Sequence, residues 1–271
     1  MSFKAEFKLE KLKFKHDSIE DFYTLRCCGV SNHLWLLRLL FALYALAILI
    51  HSAVAFHTQY WAIFLTQWGH VVSTIYLCTG SALSIYYTFQ KSNIIVSNKA
   101  DFELSSPVTD MHDKVVFREI SVSNMVPKKV CFFWLVANMS YVIGGLIIIL
   151  YWGFVHQDHF LDGADAEFAN INLHGVVYGL VVIDFLLSGI PIRILHGVYP
   201  VLFGLTYGVF SAIFTLSTKR AIYPVLKWHT HAIQALIFSL MALGVVIVVQ
   251  IFFYGAHRLK RRVRSRTMTM P

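Results

Sequence analysis

The stretch that decides the fold covers residues 170–210 and reads NINLHGVVYGLVVIDFLLSGIPIRILHGVYPVLFGLTYGVF. Its apolar run is long enough to cross a bilayer, which takes about 20 helical residues. Ionisable side chains nevertheless stand along it, namely His174, Asp184, Arg193 and His196. A charged side chain at the centre of a membrane helix costs about 2.5–3.5 kcal/mol or more. Asp184 therefore needs a partner from elsewhere in the chain.

Composition places the whole chain in a membrane. Hydrophobic residues make up 57% of the 271 residues and charged residues 14%, whereas a soluble domain carries about 25% charged residues. The net charge of +8 comes with no aromatic-basic motif, so no nucleic-acid partner is expected. We expect an all-α, polytopic integral membrane protein of the plasma membrane or the endoplasmic reticulum.

Six apolar runs of roughly membrane-spanning length predict a bundle of six transmembrane helices. They cover residues 34–56, 63–89, 130–155, 172–195, 199–216 and 232–255. The chain then divides into three parts. These are an N-terminal tail at 1–32, a membrane domain at 33–256 with a polar loop at 90–129, and a basic C-terminal tail at 257–271.

The distribution of Lys and Arg predicts the orientation of the bundle. Both chain ends and the loop 90–129 are basic, whereas the loop after the third span is acidic. Both termini are therefore expected to be cytoplasmic. Three basic residues on the expected outer side are exceptions: Lys219, Arg220 and Lys227. The basic C-terminal tail is expected to set the topology or to bind anionic lipid.

Cysteines and histidines give little indication of a metal site. Cys27 and Cys28 precede the first span, where they are either palmitoylated or unmodified thiols. Four histidines would reach the outer side of the bundle, where a metal or haem site is an alternative: His70, His174, His229 and His231. No HxxxH pair lies within a span to supply ligands, so no metal and no cofactor is expected.

A hydroxyl and an imidazole open two spans on the same side of the membrane. Thr66 lies in the FLTQWGH opening of the second span, and His174 lies in the NINLH opening of the fourth. A neighbouring imidazole activates a hydroxyl as a nucleophile, and Asn170 and Asn172 are candidate oxyanion donors. The alternative is structural: an interhelical hydrogen-bonding threonine and an interfacial histidine.

Asp184 does not complete a triad with His174, because ten helical residues place it about 15 Å deeper and about 80° around the axis. We expect a structural role for it, paired with Arg38 of the first span or with Arg193, or facing internal water. Arg193 and His196 are likewise expected to be structural intramembrane polar residues.

Three motifs resemble the rolling stone family of multi-pass membrane proteins. They are D-x6-P-I-R-x2-H-x2-Y-P-x6-Y-x2-F from Asp184 to Phe210, the F-L-T-x-W opening of the second span, and IYPVLKW at 222–228. That family is associated with myoblast fusion. It is similar in turn to the androgen-induced and androgen-dependent intramembrane threonine hydrolases, which cleave fatty acid esters of hydroxy fatty acids.

The resemblance to these hydrolases implies roles for particular residues. Thr66 matches the nucleophile, His174 the catalytic histidine, and Asn170 and Asp184 flanking positions of the pattern. A second histidine frequent in the hydrolase group is replaced here by Ile171. Two functions stay open: hydrolysis of a membrane lipid or fatty acid ester, and a non-enzymatic role in cell–cell fusion or adhesion.

Overall fold

The computed structural model describes residues 6–25, 33–55, 60–104, 126–155 and 164–267. Cys27 and Cys28 lie outside these residues. The helices are α1 (Leu34–Ala55), α2 (Leu65–Leu104), α3 (Lys128–Leu150), α4 (Ala164–Ile171), α5 (Val177–Leu187), α6 (Val198–Thr218) and α7 (Ala232–Thr267). Five-residue π-helical turns extend α3 (Tyr151–Val155) and join α4 to α5 (Asn172–Val176).

Within the described residues these helices form six long rods, because α4, the π turn and α5 are continuous. Five rods are long and apolar enough to cross a membrane. The remaining rod, α2, has 40 residues, about 60 Å at 1.5 Å per residue. The predicted all-α, six-helix membrane bundle is confirmed.

The fourth span differs from its predicted range of 172–195, since the rod begins at Ala164 and ends at Leu187. Pro191 explains the early end, because it lacks an N–H and disfavours the α conformation of the residue before it. Residues 188–192 are nevertheless buried. The Trp134 indole N–H donates to the Pro191 carbonyl over 2.6 Å, so the membrane helix is followed by a buried, non-helical connection.

Two other rods run further than the apolar runs predicted. α2 continues to Leu104, into the segment 90–129 that we expected to be a loop, and α7 continues to Thr267 through the basic tail. Within that tail, the Lys260 ammonium donates to the carbonyls of Phe185 and Ser188. It thereby satisfies backbone acceptors that the end of α5 leaves without helical partners.

The central helix of the bundle is α3, whose inward side chains are almost entirely buried: Phe133, Trp134, Ala137, Tyr141 and Ile143. Gly145 allows the close approach of its neighbours. A Cβ there would lie 2.8 Å from Val249 Cγ1 and 2.9 Å from Tyr178 Oη. Small residues serve helix association in membranes by permitting such contacts. By contrast α1, α6 and α7 expose rows of leucine, isoleucine and valine suited to lipid.

Asp184 is fully buried and paired with Arg38 in a two-pronged ion pair. Arg38 Nε lies 2.7 Å from Asp184 Oδ1, and Nη2 lies 3.1 Å from Oδ2. The Tyr76 hydroxyl also donates to the carboxylate and lies 2.8 Å from the Tyr141 hydroxyl. Of the two cationic partners considered from the sequence, the structure pairs Asp184 with Arg38.

The N-terminal segment 6–25 lies against the end of the bundle that holds this ion pair. Arg38 Nη1 donates to the Phe22 carbonyl, and the Gly189 N–H donates to the Asp21 carbonyl over 2.9 Å. Arg193, the other candidate partner, instead donates to backbone carbonyls of the segment, including that of Lys13 at 2.6 Å. Arginine side chains of the bundle thus bind the backbone of the N-terminal segment.

Replacing Asp184 with leucine should destabilise the protein by about 3–5 kcal/mol, because it leaves the Arg38 guanidinium buried without its counter-charge. The double replacement Arg38→Met with Asp184→Leu should recover much of that loss, since apolar side chains of similar volume tolerate the site better. Thermal unfolding of the detergent-purified variants measures both. A single variant as stable as the wild type would contradict the structural role of the pair.

Candidate functional site

A cavity of about 740 Å³ lies in the half of the bundle opposite the ion pair. It is bounded by the beginnings of α2 and α7, the end of α3, the middle of α6, the turn joining α4 to α5, and the loop after α6. Most of its lining is apolar, with Leu146, Leu243 and Val246 as examples. Its size is within the range of about 300–1,000 Å³ typical of small-molecule sites.

Thr66 lines this cavity at the first turn of α2. The first N–H groups of a helix have no partner within it, and tyrosines supply one here. The Leu65 N–H donates to the hydroxyls of Tyr207 and Tyr223, each at 3.1 Å, and Tyr207 donates to the Ile63 carbonyl over 2.9 Å. These contacts fix the backbone that carries Thr66.

Tyr223 lies beside Thr66, because its hydroxyl accepts from the N–H of the adjacent residue Leu65. Burial raises the pKa of the Tyr223 phenol, and hydrogen bonding to its neighbours, Tyr207 first among them, opposes the rise. The phenol is consequently neutral at physiological pH, since even the unperturbed pKa of tyrosine is about 10. An uncharged hydroxyl therefore stands beside Thr66.

His174 lines the same cavity from the π turn at Asn172–Val176. Its ring stacks on Tyr151, with ring centroids 3.4 Å apart and the planes nearly parallel. The Trp152 indole N–H donates to the His174 carbonyl over 3.1 Å. Tyr151 and Trp152 themselves begin the π turn at Tyr151–Val155, so two π turns meet here. π turns are rare in proteins overall, and those that occur are often found at functional sites.

The two asparagines considered as oxyanion donors separate. Asn170 lines the cavity with Thr66 and His174. Asn172 is buried on the side towards α1, where its side-chain oxygen accepts from the Tyr44 hydroxyl and its amide donates to the Phe168 carbonyl over 2.7 Å. Asn172 is not among the lining residues. The structure therefore brings three of the four sequence candidates to one cavity.

The remaining polar candidates lie elsewhere. Arg38 and Asp184 form the ion pair, Arg193 binds the N-terminal segment, and His196 is buried between the rings of Phe14 and Trp134. The described residues include no group of three or more His, Cys, Asp or Glu side chains arranged to hold a metal.

The aromatic residues around the site were not predicted from the sequence. Tyr151 stacks on the histidine, and Tyr207 and Tyr223 hold the start of α2. Tyr207 and Tyr223 belong to motifs that carried the family resemblance, so a signal was present without a role attached to it. Nothing in the sequence around Tyr151 indicated that its ring would meet His174.

A bundle of membrane-length helices around an apolar cavity defines a polytopic integral membrane protein. The chain matches a known protein family: the family model described as Protein rolling stone matches residues 1–270. The chain belongs to the rolling stone family, and the resemblance found in the sequence is confirmed. Protein rolling stone of Drosophila melanogaster is 23% identical over 274 residues, which cover 96% of this chain and 90% of that protein. No solved structure matches the chain.

Replacing Tyr207 and Tyr223 together with phenylalanine should cost more stability than the sum of the single changes. Either hydroxyl alone still accepts from the Leu65 N–H, whereas losing both leaves that donor without a partner, at about 1–3 kcal/mol. Thermal unfolding of the four proteins measures the difference. Tyr86→Phe, at an exposed ring, is the control, and strictly additive losses would contradict the shared role.

Proposed function

We propose that this protein is an intramembrane hydrolase of fatty acyl esters, with Thr66 as nucleophile and His174 as base. The observation that carries the proposal is that both side chains line one apolar cavity inside the membrane bundle. A hydroxyl and an imidazole are the parts that nucleophilic acyl transfer needs. An apolar cavity of this size suits an acyl chain better than a polar substrate.

The cavity is accessible from the lipid face of the bundle. Four of its lining residues are also well exposed on the outside of α6 and α7: Leu205, Val209, Leu236 and Leu240. An ester dissolved in the bilayer can therefore enter between these two helices. This route favours a substrate that is itself a membrane lipid or a fatty acid ester.

In the first step His174 removes the Thr66 hydroxyl proton as the oxygen attacks the ester carbonyl carbon. The carbonyl oxygen becomes negatively charged, and we assign the amide of Asn170, which lines the cavity, to donate a hydrogen bond to it. Collapse of this intermediate breaks the bond to the alcohol, which takes the proton from His174. The acyl group then remains on Thr66.

Thr66→Ala and His174→Ala should each reduce hydrolysis by at least about 10²–10⁴-fold, the usual contribution of general base catalysis. Fluorophosphonate labelling should disappear with Thr66→Ala. The two losses should not add, because the residues act as one unit. The measurement is release of fatty acid from a fluorescent ester by the purified protein.

Matched controls lie on the surface of the same protein. Thr206 is exposed on α6 with its hydroxyl bonded to the Leu202 carbonyl, and His229 is exposed after that helix. Thr206→Ala and His229→Ala should leave hydrolysis unchanged. A wild-type protein that neither hydrolyses esters nor takes up the label would refute the hydrolase proposal. The non-enzymatic role in cell–cell fusion or adhesion would then be the remaining function.

We also propose that both termini are cytoplasmic, so that the cavity lies in the outer half of the bilayer. The support is the number of Lys and Arg residues in both tails and in the segment 90–129, which the positive-inside rule places on the cytoplasmic side. The basic end of α7 then faces the anionic cytoplasmic leaflet, which it is suited to bind. Epitope tags at either terminus should react with antibody only after permeabilisation. Labelling of either terminus on intact cells would show that the proposed orientation is wrong.

A further inference from the structure

A second, much smaller cavity lies directly behind Thr66. Its volume is about 20 Å³, which is enough room for one water molecule, since a water needs about 10–15 Å³. Three polar residues of α2 line it, namely Thr66, His70 and Ser73. Thr66 also lines the large cavity, so it stands between a space of acyl-chain size and a space of water size.

The hydrogen bonding of His70 defines which ring nitrogen carries the proton. Nε2 lies 3.1 Å from the Ala45 carbonyl oxygen. A carbonyl only accepts, so Nε2 must be the donor, and in the neutral ring Nδ1 is then an acceptor. His70 is only 4% exposed. Its Nδ1 has no hydrogen-bond partner among the residues that the structure describes.

A buried acceptor of this kind destabilises the fold unless some group donates a hydrogen bond to it. His70 follows Thr66 by four residues, so the two side chains lie on one face of α2. A water in the small cavity would donate to His70 Nδ1 and lie against the Thr66 side chain. Ser73 is already engaged, since its oxygen accepts from Ser140 over 2.9 Å.

We infer that His70 is the general base that directs water onto the acyl group carried by Thr66. The inference rests on the proposed hydrolase function and assigns the second half of its cycle. A backbone carbonyl holds the histidine in the tautomer that a base requires. His174 would then serve attack by Thr66, and His70 would serve attack by water.

The step is balanced with water as its only co-reactant. The water oxygen forms a bond to the carbonyl carbon of the threonine ester, and one water proton moves to His70 Nδ1. Collapse of the tetrahedral intermediate breaks the bond between that carbon and Thr66 Oγ1. The Thr66 oxygen takes this water-derived proton from His70. The products are a free fatty acid and the original Thr66 hydroxyl.

His70→Gln tests the inference, because a glutamine amide can still donate to the Ala45 carbonyl but supplies no basic nitrogen. The full-length purified protein is mixed with p-nitrophenyl decanoate. The initial burst of nitrophenol reports acylation, and the steady rate reports attack by water. We expect an unchanged burst, a steady rate lower by about 10²–10⁴-fold, and a decanoyl adduct on Thr66 detected by mass spectrometry.

Hydroxylamine gives a second readout that a merely structural role would not produce. It is a strong nucleophile without base assistance, so it should release the trapped acyl group of His70→Gln as a hydroxamate. His229→Gln, at an exposed histidine, should match the wild type throughout. Equal thermal midpoints of wild type and His70→Gln would show that the fold is intact.

The outcomes separate the two proposals. A wild type with neither burst nor turnover refutes the hydrolase and the inference with it. An active wild type together with a His70→Gln variant of unchanged steady rate refutes the inference alone. The same holds for a variant that loses burst and steady rate equally, because His70 would then act on acylation or on folding.

Discussion

The buried ion pair between Arg38 and Asp184 is the interaction on which the rest of the bundle depends. The guanidinium donates to the carboxylate, to the Phe22 carbonyl and to the Ser84 hydroxyl. The carboxylate in turn accepts from Tyr76. Since water cannot reach these groups, each must find its partner within the protein. Lipid gives helices little hydrophobic reason to associate, so one shared polar point helps to set how α1, α2, α5 and the N-terminal segment meet.

The bundle consequently has two unlike halves. The half with Asp184 is filled by hydrogen-bonded and aromatic side chains, including Tyr141 and Trp134, which are fully buried. The other half contains the large cavity, and α6 lines it partly with glycines, which leave space because they have no side chain. Gly208 lines the cavity, and a Cβ at this position would meet no atom within 4 Å. Dense polar and aromatic packing at one end thus coexists with open apolar volume at the other. This arrangement supports a site while leaving room for a ligand.

Much of this architecture could be predicted from composition and from the free-energy cost of burying a charge in a membrane. The apolar runs predicted the six rods. Because an unpaired carboxylate is unfavourable in a membrane, Asp184 was expected to have a basic partner. The end of α5 was missed because hydropathy continues past Leu187, although Pro191 carried the necessary signal. At the site, Thr66, Asn170 and His174 could be grouped because helix direction places them at one depth. Asn170 and Asn172 are two residues apart, so helical spacing alone turns their side chains to different faces. The stacking of His174 on Tyr151 joins two distant parts of the chain, and no local pattern encodes it.

The binding of the N-terminal segment has a consequence for biogenesis. Arg193 donates to the carbonyl of Lys13, 180 residues earlier in the chain. Residues 6–25 leave the ribosome long before Arg193, which is synthesised only after four spans have been made. The contacts of residues 6–25 with Gly189 and Arg193 can therefore form only late in translation and insertion. A segment that is synthesised early thus completes its contacts late, so its docking marks a bundle whose first four rods are already in place.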